Sequence, residues 1–475
     1  AGPYEKSGDM SRTGDDRSMN EWAAQQAETA YERRTRSQIL GDAIFGARLR
    51  STLHSVARSC AVALIAMSAT LVIGASAQTT ATPSANDAAA KPAAAKPAVA
   101  TPAAAVKPPA LTIPDAPKPK TAKAWLVMDD ATGKVLAGEN IDMRLEPASI
   151  TKVMTSYVIA AELKAGRIKA NDRVLMSENA WRSGGAGTDG SYSGFEVNKT
   201  ADLTEMVKGM VIQSGNDAAI ALAEHVAGSE AAFATLMNDY AKRMGLANSR
   251  FVNSHGLSAE GHYSTAHDLA LLGRALIRDF PNEYGYNKIR EFKVGAMNPQ
   301  LNRNILLWRD ESVDGIKTGH HSGAGYCLLS SAKRGDQRLI AVVMHTASEE
   351  ERAVDSLALL NWAFRFYETH RLYQANTAVA THKVWKGEID EVKLGLQQPL
   401  LVSTPRGRYA ELKPQMDVPK TLVAPIKAGQ QIGTVRVMLD GKTVIEAPLV
   451  ALQKIPEAGF FKRLWHEFLM WWESE

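Results

Sequence analysis

Three short motifs occur in one order along the chain: Ser149-Ile150-Thr151-Lys152, Ser214-Gly215-Asn216 and Lys317-Thr318-Gly319. Together they supply a nucleophile, candidate bases and an anion-binding edge strand, the set needed for acyl transfer through a covalent serine ester. On a helix, Ser149 and Lys152 lie on one face, a turn apart. Ser149 follows Pro147-Ala148 at the expected helix start, where free N–H groups and the dipole favour developing negative charge. An amine serves as base only if its pKa is lowered. Burial beside an apolar helix and a second cation such as Lys317 both push it down. Read alone, the same four residues also describe a serine N-cap beside a solvated lysine.

Ser214-Gly215-Asn216 interrupts a helical pattern between Val211 and Ala218. The glycine permits a sharp turn, from which a hydroxyl and an amide project that could relay a proton and hold a substrate carbonyl. A plain helix cap by Ser214 or Asn216 fits the same residues. Lys317-Thr318-Gly319 ends the run Val313-Asp314-Gly315-Ile316, a candidate edge strand. Its charge and hydroxyl suit a carboxylate, and Gly319 leaves room for an extended peptide to pair. Alone, it is also an ordinary turn. The joint order of the three motifs favours the catalytic reading.

The elements that must position these residues begin near residue 121. Ala124–Met128, the turn Asp130-Ala131-Thr132-Gly133 and Lys134–Ala137 predict a hairpin. The helix opened by Ser149 is too apolar all round to lie on a surface. Thr204–Gln213 and Asp217–Val226 predict two helices, with Gly228 stopping the second. Gly325–Ala332 and Leu339–His345 predict strands joined through Lys333-Arg334-Gly335-Asp336, followed by a helix over Glu351–Tyr367. Strands at both ends with helices between predict an α+β fold, an antiparallel sheet covered by helices on both faces, over 121–375. From 376 to 455, short alternating stretches broken by Pro and Gly predict a small all-β domain. In 456–475, Phe461, Leu464, Trp465, Phe468 and Trp472 recur at spacings of three and four, an amphipathic helix too short and charged to span a bilayer and suited to a membrane interface. Packing on the small domain would also cover that apolar face.

Ahead of the folded region, Arg48, Arg50 and Arg58 precede the apolar run Cys60–Gly74 and Ala75-Ser76-Ala77. Residues 1–77 therefore read as a leader and a secretory signal cleaved after Ala77. Residues 78–120, rich in Ala, Pro and Lys, cannot bury enough surface to offset their ordering entropy and read as a disordered tether. Of the two cysteines, Cys60 falls in the signal, which leaves Cys327 without a partner and excludes a disulfide framework, though not an oxidising compartment. Cys327 sits in an apolar run and reads as a buried strand thiol. The formal charge of +4 over 475 residues, with no basic stripe interleaved with aromatics, argues against nucleic acid.

The wider contexts Pro147–Tyr157, Gln213–Ala218 and Val313–His320 resemble the low-molecular-mass penicillin-binding proteins that are serine-type D-alanyl-D-alanine carboxypeptidases, over about 123–475. The resemblance implies a β-lactamase/transpeptidase-like fold and no cofactor. It makes Ser149 the acylated nucleophile, Lys152 its base, Ser214 the proton relay to the leaving amine, and Asn216 the holder of the substrate amide. Lys317 and Thr318, helped by Arg352, would bind the terminal carboxylate beside Gly319, the backbone N–H groups of Ser149 and His320 would form the oxyanion hole, and His255 would lie near the site. It implies peptidoglycan stem peptides and β-lactams as ligands, and a peripheral place on the periplasmic face of the inner membrane. No metal is expected, since His320 and His321 lack a third spaced ligand. The glycine-rich Trp181–Thr188 lacks the lysine and helix of a phosphate cradle and resembles the family's mobile loop. A class A-like β-lactamase is disfavoured: its acid-x-x-Leu-Asn element finds only Glu283-Tyr284-Gly285-Tyr286-Asn287, and Gly215 stands where such enzymes carry Asp. The motifs are also compatible with a D,D-endopeptidase or with a protein that binds the cell wall without catalysis.

Overall fold

A computed structural model describes residues 112–185 and 190–472. The expected leader and signal, residues 78–111 of the tether, residues 186–189 and the last three residues lie outside the described residues.

Five strands make the central sheet: β1 (Ala124–Asp129), β2 (Val135–Glu139), β3 (Val313–His321), β4 (Gly325–Arg334) and β5 (Gln337–Thr346). They are ordered β2-β1-β5-β4-β3, every pair antiparallel, with β3 on an edge. Strand side chains alternate between two cores, as a period of two requires. Leu126, Met128, Leu329, Val342 and Met344 face one core, and Trp125, Val127, Leu328, Ala341 and Val343 the other. The first core is filled by α1 (Thr151–Lys164), α2 (Leu203–Ile212), α3 (Asn216–Ala227), α4 (Glu230–Met244) and α5 (Ala266–Asp279). The second is closed by α6 (Glu349–Phe366) through Leu359, Leu360 and Ala363. The sheet is thus covered on both faces, as the element pattern predicted. Cys327 is fully buried on β4, where burial pushes its thiol up to about 11.

Several boundaries differ from those read in the sequence. Ser149 does not open the α-helix. It lies in a 3-10 turn, Ala148–Ile150, and α1 starts at Thr151 with no side-chain cap. β3 continues through Lys317-Thr318-Gly319 to His321 instead of ending there, because its pairing with β4 runs unbroken past the motif: Lys317 faces Leu329 and Gly319 faces Cys327. Order also begins before 121. Ile113 and Ala116 pack on the second core, and the Trp362 indole donates to the Pro114 carbonyl at 3.0 Å.

The β-rich part starts with β6 (Tyr367–Tyr373), earlier than 376, since β6 pairs with β9 (Leu400–Pro405). The remaining strands are β7 (Ala378–Trp385), β8 (Glu391–Gly395), β10 (Lys413–Asp417), β11 (Leu422–Val423), β12 (Gln431–Leu439) and β13 (Lys442–Ala451), in the order β10-β12-β13-β8-β7-β11. A last helix, α7 (Phe460–Trp472), closes the described chain.

Candidate active site

Lys152, on the first turn of α1, is 1% exposed, so it is not a solvated lysine. Its Nζ donates to Asn216 Oδ1 at 2.6 Å and to the His255 carbonyl at 2.7 Å, and lies 2.9 Å from Ser149 Oγ. Burial holds this amine well below the usual lysine range. The nearby Lys317 charge adds to that, while Asp217 and Glu230 oppose it. A neutral amine has two N–H groups and one lone pair. The amide oxygen and the carbonyl can only accept, so they take both protons, and the lone pair is left for Ser149. That is the geometry a general base needs.

Ser149 is presented by a strained turn. Ala148 has φ +47°, and the loop that carries Ser214 has φ +65° at that residue. Left-handed non-glycine residues of this kind cost about 1–3 kcal/mol each and persist where surrounding structure holds them. Here Gly256 packs under the turn: a Cβ on it would overlap the Ala148 carbonyl oxygen. His262 accepts the Val252 N–H through Nδ1 at 3.0 Å, which leaves its Nε2–H for the Thr151 hydroxyl at 2.8 Å. Gly319 lets the edge strand close on the same turn, since its Cβ would lie 2.7 Å from the Pro147 carbonyl oxygen and 3.2 Å from the Ser149 nitrogen.

Neither Ser214 nor Asn216 caps a helix: α3 starts at Asn216 behind Gly215 with no side-chain cap. Ser214 Oγ accepts from Lys317 Nζ at 3.0 Å, which frees its own proton for another acceptor. Lys317, buried on β3, also donates to the Thr318 carbonyl at 3.1 Å. Burial, then the Arg352 and Arg303 charges, lower its pKa to about 7. A cleft of about 680 Å³ opens above these groups, with Ser149, Ser214, Asn216, Thr318, Gly319 and Arg352 on its walls. Arg352, from α6, is 5% exposed; it donates to the Gly319 carbonyl at 3.3 Å, pairs with Glu349 at 2.6 Å and lies over the Tyr326 ring. The exposed His320 stacks on Tyr326 and also faces the cleft.

His255 differs from the rest. Its backbone, not its ring, meets Lys152; the ring accepts from the Leu257 N–H and is not part of the cleft wall. His321 Nδ1 accepts from the Ala324 N–H, a local turn contact. The segment at Glu283 is structural: the Tyr284 hydroxyl donates to Asp314 at 2.6 Å, Asp314 forms a two-bond pair with Arg338, and none of it lines the cleft. The sequence reading missed Ser191, Arg303 and Tyr326 on the cleft wall. Ser191 is placed by the Asn216 N–H, which donates to its carbonyl at 2.8 Å.

A serine facing the lone pair of a buried lysine, with cationic and hydroxyl groups across the cleft, defines a serine acyl-enzyme hydrolase. The D-alanyl-D-alanine carboxypeptidase family model (Peptidase_S11) matches residues 111–348, and the C-terminal domain of penicillin-binding protein 5 matches 367–457. The chain belongs to this carboxypeptidase family, and its enzyme class is serine-type. It is 46% identical to the D-alanyl-D-alanine carboxypeptidase DacC of Escherichia coli over 74% of this chain and 88% of that protein. It is 38% identical to the enzyme DacF of Bacillus subtilis over 71% and 87%. Penicillin-binding protein 5 from Haemophilus influenzae superposes with a TM-score of 0.69 at 38% identity, covering 73% of this chain and all of that one.

Proposed function

We propose that Ser149 is the acylated residue of a carboxypeptidase that removes the terminal D-alanine from peptidoglycan pentapeptides. The observation that carries this reading is the Lys152 amine 2.9 Å from Ser149 Oγ, with Asn216 Oδ1 and the His255 carbonyl as its other two partners. Lys152 takes the hydroxyl proton as Ser149 attacks the carbonyl of the D-Ala-D-Ala bond, and the backbone N–H groups of Ser149 and His320 receive the oxyanion. Ser214, its oxygen held by Lys317, passes its proton to the leaving amine and takes in exchange the proton that Lys152 received from Ser149, which returns Lys152 to the neutral form. Thr318, Lys317 and Arg352 bind the departing carboxylate, which suits their charge and hydroxyl chemistry. Asn216 orients both Lys152 and the substrate amide. Water then cleaves the ester with Lys152 as base. A β-lactam presents the same amide and carboxylate and is captured on the same oxygen. Incubation with a pentapeptide should release D-alanine, and a penicillin should add its mass to Ser149. A label on another residue overturns the assignment.

The cellular setting belongs to the same proposal: export through the signal at 1–77 and attachment to the periplasmic membrane surface by α7. No helix among the described residues is long and apolar enough to cross a membrane. α7 rests on the β-rich part by its polar side. His466 Nδ1 accepts the Lys386 N–H at 2.8 Å, Lys386 pairs with Glu467, and Lys462 pairs with Asp390 at 2.8 Å. The other side leaves Phe461 84%, Trp465 58% and Phe468 49% exposed. Burying such rings is worth about 25 cal/mol per Å² of apolar surface. The full chain should therefore float with vesicles of phosphatidylethanolamine and phosphatidylglycerol. The pair Trp465→Glu, Phe468→Glu should lower that partition at least about tenfold with D-alanine release unchanged. Equal partition of the variant would exclude α7 as the attachment.

A further inference from the structure

The base is held by a carbonyl, and what holds the carbonyl lies farther out. Glu230 is the first residue of α4, remote in sequence from every motif. Its Oε1 accepts from the Ser254 N–H at 2.9 Å and from the Ser254 hydroxyl at 2.5 Å, and stands 3.4 Å from His255 Nε2. His255 Nδ1 accepts from the Leu257 N–H at 3.0 Å, so the ring proton of neutral His255 sits on Nε2, facing Glu230. Burial drives the His255 pKa down to about 3, which keeps the ring in that neutral form. One carboxylate oxygen thus gathers both residues. Their carbonyls in turn receive two side chains of α1: Ser254 takes the Thr155 hydroxyl at 2.6 Å, and His255 takes Lys152 Nζ at 2.7 Å.

We infer that Glu230 is a positioning residue for the catalytic amine, acting through Ser254 and His255 to fix the acceptor that turns the Lys152 lone pair toward Ser149. The inference rests on the reading of Lys152 as the base. Without the His255 carbonyl in place, a neutral amine has only Asn216 to satisfy one N–H, and it rotates freely about that bond. The lone pair then faces the serine for only part of the time, and the loss falls on the acylation step, not on substrate capture. Glu230 also places a negative charge near an amine that must stay unprotonated, an electrostatic cost opposite in sign to its geometric benefit.

Two substitutions separate these effects. Glu230→Gln keeps an Oε1 acceptor for Ser254 and His255 and removes the charge. Glu230→Ala removes both. The acylation rate constant with a chromogenic penicillin, measured against pH, should fall about 10–100-fold in the Ala variant, with the pre-equilibrium binding constant unchanged. In the Gln variant the plateau rate should hold within about threefold, and the acid limb should move to lower pH, since the carboxylate charge that favours the protonated amine is gone. A helix-end carboxylate serving α4 alone would change the melting temperature and leave acylation by the Ala variant within twofold of the parent; that result overturns the inference. If the Ala variant fails to fold, Glu230→Asp decides: it keeps the charge and withdraws the acceptor from Ser254 and His255, so its plateau rate should fall more than about twofold, and a smaller change overturns the inference. Lys152→Met run in parallel distinguishes failure of the underlying reading, because acylation that survives Lys152 loss removes the base itself, whatever Glu230 does.

Discussion

Replacing Lys152 with methionine should lower acylation of Ser149 by about 10²–10⁴-fold, the usual range for losing a positioned general base. Methionine keeps a long unbranched stem in a site with almost no exposure, so packing around α1 survives. Two acceptors, Asn216 Oδ1 and the His255 carbonyl, lose their donor, at about 1–3 kcal/mol for each if left unsatisfied, so a melting curve should accompany the kinetics. The pH dependence supplies the second half of the test. Burial favours the neutral amine, so the base is available above its lowered pKa and is lost as pH falls through it. The parent's acylation rate should therefore decline on the acid side, at a pH far below the ordinary lysine value. A rate that rises only as pH approaches that ordinary value, or a methionine variant acylated within tenfold of the parent, contradicts the role.

Gly256→Ala should be nearly as damaging, through the backbone alone. Gly256 adopts φ +92°, and its added Cβ would overlap the Ala148 oxygen and stand 2.8 Å from the Thr151 hydroxyl. Neither neighbour can yield without moving the turn that carries Ser149. The expected cost is about 3 kcal/mol, a fall in Tm of roughly 6–12 °C for a domain of this size. Displacing the nucleophile by about 1 Å should also cost about 10²-fold in acylation. Melting and penicillin labelling read the two effects separately. An alanine variant with parental Tm and labelling rate would show that the turn does not depend on this contact.

The site was legible where chemistry sits on short local spacing. Ser149 and Lys152 are three residues apart, a spacing that a 3-10 turn running into α1 converts into proximity. Lys317 and Thr318 could be placed on a candidate edge strand as the end of the run Val313-Asp314-Gly315-Ile316. The strand's continuation to His321 was not legible, because Gly319, His320 and His321 carry no strand preference and owe their conformation to pairing with Cys327, Tyr326 and Gly325. The same holds for Tyr367–Tyr373, whose partner strand starts at Leu400. Glu230, Ser191 and Arg303 are common polar residues, and only the fold brings them to the cleft or to the segment beneath the base. His255 was recognised by its local context, which located the residue but gave no sign that its carbonyl, not its imidazole, is the working group.

The pairing of β1 with β5 has a consequence for how the chain acquires its structure. Ala124 lies opposite Met344 and Asp129 opposite Leu339, so the central strands come from the two ends of the catalytic region. Everything from the nucleophile to the helices beneath it is synthesised between them. Closing so long a loop is entropically late, and contacts of such high sequence separation slow folding. Until β5 arrives, the apolar faces of the first hairpin have no lasting cover, and a chain still being synthesised holds them exposed to other chains. The edge strand β3 that walls the cleft is therefore joined to β1 only through β4 and β5, the last strands of the sheet to be synthesised.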